Sequence, residues 1–146
     1  MLRVYIREAR STDADELAVL ELRFRSSLTQ VRGGAEWLST HEAVDWATSL
    51  QHTGTSVFVA QDPADRELCG LILVQEDKDA ARVELLCSPS PGDAISVALL
   101  TQVRTAAALN GKSRIVAYAF PGNRVEKNMY EEVGMKAVSL KMEGFL

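Results

Sequence analysis

Apolar and polar residues alternate at period two across VYIREAR (residues 4–10), the pattern of a half-buried strand. The STDADE that follows is a helix start in which Thr12 caps and Asp15 answers it. Leu17, Leu20, Phe24 and Leu28 then recur at three- and four-residue steps while Glu21, Arg23 and Arg25 fall elsewhere. This predicts an amphipathic helix with a solvated charged face, ended by Gly33-Gly34. Ser39 with Glu42 forms a second capping-box pattern ahead of Val44, Ala47 and Leu50, predicting a shorter helix that ends near Gly54. SVFVAQD (56–62), ELCGLILVQED (67–77) and AARVELLCS (80–88) read as three strands, the first two separated by the turn-rich DPADR. Their short connections imply an antiparallel meander.

After Gly92 a long run is apolar on nearly all sides (Ile95, Ala98, Leu99, Val103, Ala106, Ala107), as expected of a helix packed into a sheet. Asn110-Gly111 stops it. SRIVAYAF (113–120) is the next strand, and the crossover before it makes it parallel to its neighbour. NRVEKNMYEEVG (123–134) reads as another short helix and KAVSLKMEGFL (136–146) as a final strand. The order is strand, helix, helix, three strands, helix, strand, helix, strand, an α/β (α+β) arrangement forming one domain over residues 1–146.

Composition narrows the function classes. The 146 residues, 47% hydrophobic and 25% charged, are those of an ordinary globular domain. A net charge of -4 with no concentrated basic stretch argues against a nucleic-acid partner and favours a neutral or cationic one. Charges interrupt residues 1–8 where a signal peptide needs an apolar core, and no apolar run reaches membrane-spanning length. The expectation is a cytoplasmic protein without a membrane partner. Cys69 and Cys87 lie far apart in apolar segments and read as core thiols. With only His41 and His52 beside them, neither a metal site nor a Ser-His-Asp triad is indicated.

Between the strand at 80–88 and the long helix stands SPSPGDAIS (88–96). Read on its own residues it is a self-capped helix start, with Ser90 as cap, Pro91 in the first helical position and Asp93 reaching back as the third. Asn123 with Glu126 is likewise a capping box, and Tyr130 is a packing residue beside Met129 on this reading.

The element order and three local matches resemble the GNAT superfamily of acyl-CoA N-acyltransferases over essentially the whole chain. IREARSTDADELAVLE resembles the family's opening strand and first helix. Residues 82–109 occupy the place of its pyrophosphate loop, and NRVEKNMYEEVGM resembles its Asn, six residues, Tyr pattern. The resemblance implies a mixed, largely antiparallel central sheet with helices on both faces and a parallel pair of strands splayed around an acyl-CoA cleft. The family loop carries a Gln or Arg, two residues, Gly, one residue, then Gly or Ala. Aligned on Ala98-Leu99-Leu100, this chain has Pro91, Gly92, Asp93, Ala94, Ile95 and Ser96, so the basic or amide residue is gone and small side chains replace the motif glycines.

What the resemblance implies for chemistry is an N-acetyltransferase moving an acetyl group from acetyl-CoA, as co-substrate, to a primary amine of a small molecule or protein. The backbone of Leu86, Cys87 and Ser88 would pair with the pantetheine and polarise the thioester carbonyl. Gly92, Asp93, Ala94, Ile95 and Ser96 would face the pyrophosphate, and Asn123 would contact the cofactor or its water. Tyr130 would protonate the departing thiolate, Glu84 would accept the ammonium proton, and residues 26–54 would line the acceptor side. The departures in the loop motivate an alternative, a non-catalytic domain of this kind that binds a metabolite or protein. A homodimer completed through a sheet or helix edge is a third reading.

Overall fold

The computed structural model describes residues 3–146. Its five-stranded sheet has the sequential order β1-β2-β3-β4-β5, with β1 Tyr5–Glu8, β2 Thr55–Gln61, β3 Leu68–Glu76, β4 Ala80–Cys87 and β5 Arg114–Val116. The first three pairings are antiparallel and β4 with β5 is parallel, as the meander and the crossover predict. Five helices complete it: α1 Ala14–Leu28, α2 Gly34–Thr40, α3 Trp46–Ser49, α4 Ala94–Leu109 and α5 Arg124–Glu132.

Both faces of the sheet are covered, which is why β2 and β3 are nearly continuous apolar runs rather than alternating ones. Phe58, Ala60, Ile72 and Val74 pack on one face with Leu99, Leu100 and Val103 of α4 and with Met129 and Tyr130 of α5. Val57, Val59, Leu71 and Leu73 pack on the other with Leu17 of α1 and Trp46.

β4 does not keep its alternation. Val74 pairs with Val83 and Leu73 with Leu85, leaving Glu84 as the extra residue of a β-bulge. One inserted residue flips every side chain after it. Ala81 and Val83 accordingly belong to the α4 face, whereas Leu85 and Cys87 belong to the α1 face. Pairing with β5 covers only Ala80 to Arg82, so β4 has no neighbour on that side from Val83 onward. The bulged, splayed pair is the feature the family resemblance implies.

Several local expectations are corrected. The first helix is preceded by a 3-10 turn, Ser11–Asp13, and Asp13 rather than Thr12 with Asp15 organises it. Its carboxylate accepts from Arg10 N at 2.6 Å and from both terminal nitrogens of Arg7 at 2.8 and 3.0 Å. The Arg7 guanidinium holds the Asp13 carboxyl below the usual carboxylate range. Gly33-Gly34 does not end α1 but starts α2: Gly33 has φ 90, and a Cβ on Gly34 would stand 2.0 Å from Leu28 O. Ser39 and Glu42 form no cap; Asp45 caps the short α3 by accepting from Thr48 N.

The run predicted at 113–120 is a strand only over Arg114–Val116, because its partner turns away. Leu109, at the end of α4, is 82% exposed, so that helix buries one face rather than most of its circumference. Residues 136–146 carry a strand pattern but belong to no strand, since a strand needs a paired edge as well as alternation.

Glu21, placed by its spacing on the solvated face of α1, is instead 2% exposed. Both its oxygens accept from Val44 N at 3.1 Å, one accepts from Trp46 Nε1 at 3.0 Å, and the other accepts from Arg25 Nε at 2.9 Å. Arg25 also donates to the carbonyls of His41 and Glu42. The pair ties the irregular 41–46 segment to α1, and removing the carboxylate strands several buried donors at once. Glu21→Ala is therefore expected to lower the free energy of unfolding by about 3 kcal/mol, measured by urea titration; a loss below about 1 kcal/mol would contradict this role.

Candidate active site

Where β4 loses its neighbour, the chain opens into a cavity of about 490 Å³, within the usual size range of small-ligand sites. Leu20, Phe24 and Leu28 of α1 form its apolar wall, and Leu86, Cys87 and Ser88 form the β4 side. Asn123 and Glu126, from the start of α5, form the opposite side. The α1–α2 connection meets the segment that follows β5, Gly122 N donating to Arg32 O at 3.2 Å.

The cavity is acidic. Asp62, Asp65 and Glu67 of the β2–β3 turn line it together with Glu126, against a single cationic lining residue, Arg23. Asp62, Asp93 and Asp65 all push up the Cys69 thiol, after burial itself. Burial likewise pushes up the Cys87 thiol; both cysteines are free, Cys87 a core thiol as its sequence context predicts and Cys69 only partly buried at the edge of the core. Among the described residues no group of three metal-ligating side chains could hold an ion, and no helix is long and apolar enough to cross a membrane.

Glu126 is the residue that sequence reasoning passed over as a mere cap partner. It is only 9% exposed. Asn123 caps α5 by accepting from Glu126 N at 3.2 Å, and its amide donates back to Glu126 Oε2 at 3.3 Å. Burial pushes the Glu126 carboxyl up to about 7, and the Tyr130 phenol offsets only part of that cost. Tyr130, one turn further along α5, is buried in the core and does not line the cavity. Burial and then the Glu126 carboxylate hold its phenol well above the usual range, hence protonated at neutral pH. The signal was present in the sequence: Glu126, Met129 and Tyr130 share one helical stripe, and the last two are apolar.

The remaining sequence-derived site residues fall into two groups. Leu86, Cys87, Ser88 and Asn123 are brought together around the cavity. Glu84, on the bulge, lies outside it, accepting from Arg82 Nε at 2.6 Å while Arg82 Nη1 donates to Asp77. Gly92, Asp93, Ala94, Ile95 and Ser96 form the turn into α4, adjacent to the cavity but not lining it.

That turn is self-capped three residues later than the sequence suggests. Asp93, not Ser90, is the cap, one oxygen accepting from Ser96 N at 2.8 Å and the other from Ser90 N at 3.1 Å. Ser96 is buried with its hydroxyl 2.8 Å from that of Ser88. Gly92 has φ 70 and packs so closely on α5 that an added Cβ would stand 3.0 Å from Val125 O. The Asp93 carboxylate thus sits where a helix N-terminus would otherwise receive an anion, leaving the amides of Ala94 and Ile95 without a partner among the described residues.

The Glu126 carboxyl makes stability depend on pH with a definite sign. Its folded value lies above the ordinary 4.5, so the folded chain binds the extra proton between these values and stability falls as pH rises through that window. Between about pH 5 and pH 8 the wild type should lose roughly 2–3 kcal/mol relative to Glu126→Gln, read from urea midpoints at the two pH values. Parallel pH profiles for the two proteins would contradict the assignment.

No protein-family model matches the chain, and no curated protein matches its sequence. Solved structures do match its fold. A mutant of the BH1408 protein from Bacillus halodurans is 17% identical with a TM-score of 0.80, covering 97% of this chain and 99% of that one. A ribosomal-protein-alanine N-acetyltransferase from Brucella melitensis biovar Abortus 2308 is 19% identical, TM-score 0.69, over 99% and 100%. AAC(6')-Iy bound to the bisubstrate analogue CoA-S-monomethyl-acetylneamine is 15% identical, TM-score 0.71, over 99% of each chain. With its bulged β4, its splayed parallel partner and helices on both faces, the chain has the fold of the GNAT superfamily of acyl-CoA N-acyltransferases.

Proposed function

We propose that this protein transfers an acetyl group from acetyl-CoA to a primary amine of a cationic acceptor, a small molecule or a protein side chain or terminus. The observation that carries the reading is the juxtaposition of the unpaired edge of β4 with a cavity whose charged lining is almost wholly carboxylate. That structures of the same fold include acetyltransferases supports it.

The donor's amide-bearing arm would pair with the free backbone beside Leu86, Cys87 and Ser88, and a backbone N–H there would polarise the thioester carbonyl. No thiol chemistry is asked of Cys87. Asp62, Asp65 and Glu67 would draw an ammonium group in, and Glu126 would take its proton. A carboxyl titrating near neutrality is matched to that task, whereas Glu84 is turned toward Arg82. The neutral amine then attacks the carbonyl carbon, a C–N bond forms and the C–S bond breaks. Glu126, having released the first proton to solvent, takes the second from the attacking nitrogen and delivers it to the departing sulfur. Tyr130, protonated behind Glu126 and outside the cavity, acts on that carboxyl rather than on the sulfur. Asn123 fixes the Glu126 carboxyl through its amide.

Asp93 favours a second reading, a non-catalytic domain that binds a cationic metabolite, because its carboxylate already occupies the start of α4 and accepts from the Ser90 and Ser96 amides, opposing a pyrophosphate there. The two readings separate in a coupled thiol-release assay with acetyl-CoA and a panel of di- and polyamines. Amine-dependent turnover supports transfer, with Glu126→Gln about 100-fold lower in kcat/KM and without the rate rise through neutral pH expected of the wild type. Absence of turnover with every amine, in a folded protein, sinks it. Asp93→Gly should bind acetyl-CoA more tightly than the wild type by calorimetry at equal salt, at a stability cost of about 1 kcal/mol from the lost cap; unchanged affinity would remove Asp93 from donor recognition.

A further inference from the structure

One stripe of α1 faces the cavity: Leu20, then Arg23 and Phe24 a turn further on, then Ser27 a turn beyond them, all line it. Arg23 lines it while remaining exposed, and among the described residues its guanidinium makes no ion pair and no hydrogen bond. Its neighbours are committed elsewhere. Arg25 donates to Glu21 and to the carbonyls of His41 and Glu42, and Arg32 donates to Pro121 O. Nor do Asp62, Asp65, Glu67 and Glu126, which share the cavity, pair with Arg23. A guanidinium brought to a cavity by helix spacing and bound to nothing there is free to meet an anion, and its planar fork of N–H donors fits phosphate oxygens.

An acyl-CoA donor brings such anions. In the donor the diphosphate follows directly on the pantetheine arm, so an arm laid along Leu86, Cys87 and Ser88 carries the diphosphate onto the residues that come next. Of these, Pro89 and Pro91 line the same cavity as Arg23. The loop offers no cation of its own: from Ser88 to Ser96 its one charged residue is Asp93. Arg66 and Arg124, on elements that border the cavity, do not line it. Arg23 is thus the one lining side chain whose charge suits a diphosphate, and it comes from α1 rather than from the loop.

We propose that Arg23 of α1 binds the diphosphate of the acyl-CoA donor and so supplies the positive charge that the loop into α4 lacks; the identity of the donor rests on the acetyl-transfer reading. Calorimetry tests this on the wild type, Arg23→Gln and Arg23→Lys, each titrated with acetyl-CoA and with acetyl-dephospho-CoA, which keeps the diphosphate but lacks the 3′-phosphate. An exposed side chain bonded to nothing can be exchanged without unfolding the chain, so all three proteins should share one urea midpoint. Arg23→Gln should bind both donors about 10-fold more weakly than the wild type and with a flatter salt dependence, and Arg23→Lys should recover part of the loss. Equal affinity of the wild type and Arg23→Gln for acetyl-CoA overturns the inference and leaves acetyl transfer standing. A loss seen with acetyl-CoA but not with acetyl-dephospho-CoA overturns it too, assigning Arg23 to the 3′-phosphate. A wild type that binds neither donor overturns it together with the acetyl-transfer reading, whereas Arg23-dependent binding without amine-dependent turnover sinks that reading alone.

Discussion

Only three residue pairs, Ala80 with Arg114 through Arg82 with Val116, make up the backbone pairing of β5 with β4. Past them the bulge at Glu84 turns β4 and reverses the faces of its side chains, so Leu85 and Cys87 look toward α1 instead of α4. An interior strand with one side of its backbone unpaired is a costly arrangement unless something fills the gap. Here the gap opens to a cavity, and the start of α5 stands across it with Asn123 and Glu126. That one interruption of the sheet sets Leu86, Cys87 and Ser88 across the gap from Asn123 and Glu126.

The electrostatics of the cavity set its two proposed ligands against each other. Carboxylates from the β2–β3 turn and from α5 favour an ammonium ion and oppose the phosphates of an acyl-CoA donor. Asp93 adds to this by capping α4 with both oxygens. The amides of Ala94 and Ile95 remain for an anion, and the thioester arm would depend on backbone pairing rather than charge. A site so built would favour a cationic acceptor while holding its donor loosely, and donor affinity becomes the quantity most sensitive to salt.

Much of this architecture was legible in the chain. The strands within residues 4–88, the crossover before β5 and the Asn123 cap of α5 each have a local chemical cause, and the joint pattern supports the fold. What was not legible depends on tertiary partners. Glu21 lies off the apolar stripe of α1 by spacing, yet the amide of Val44 and the indole of Trp46 draw it inside. Asp93 displaces Ser90 as the cap because its carboxylate reaches both the amide before the helix and the one within it. Residues 136–146 alternate like a strand, but no alternation names the edge it will meet. Glu126 is the instructive case: its spacing with Met129 and Tyr130 marks it as buried, while its place in a capping box explains it away.

The most direct test of the account is residue-resolved amide exchange in the presence of millimolar acetyl-CoA, because it asks whether the unpaired edge of β4 is where the donor lies. The account predicts slowed exchange at the gap-facing amides among residues 84–88, with those of β2 unchanged. Bound acetyl-CoA that leaves residues 84–88 unprotected, or no binding at that concentration, would contradict it.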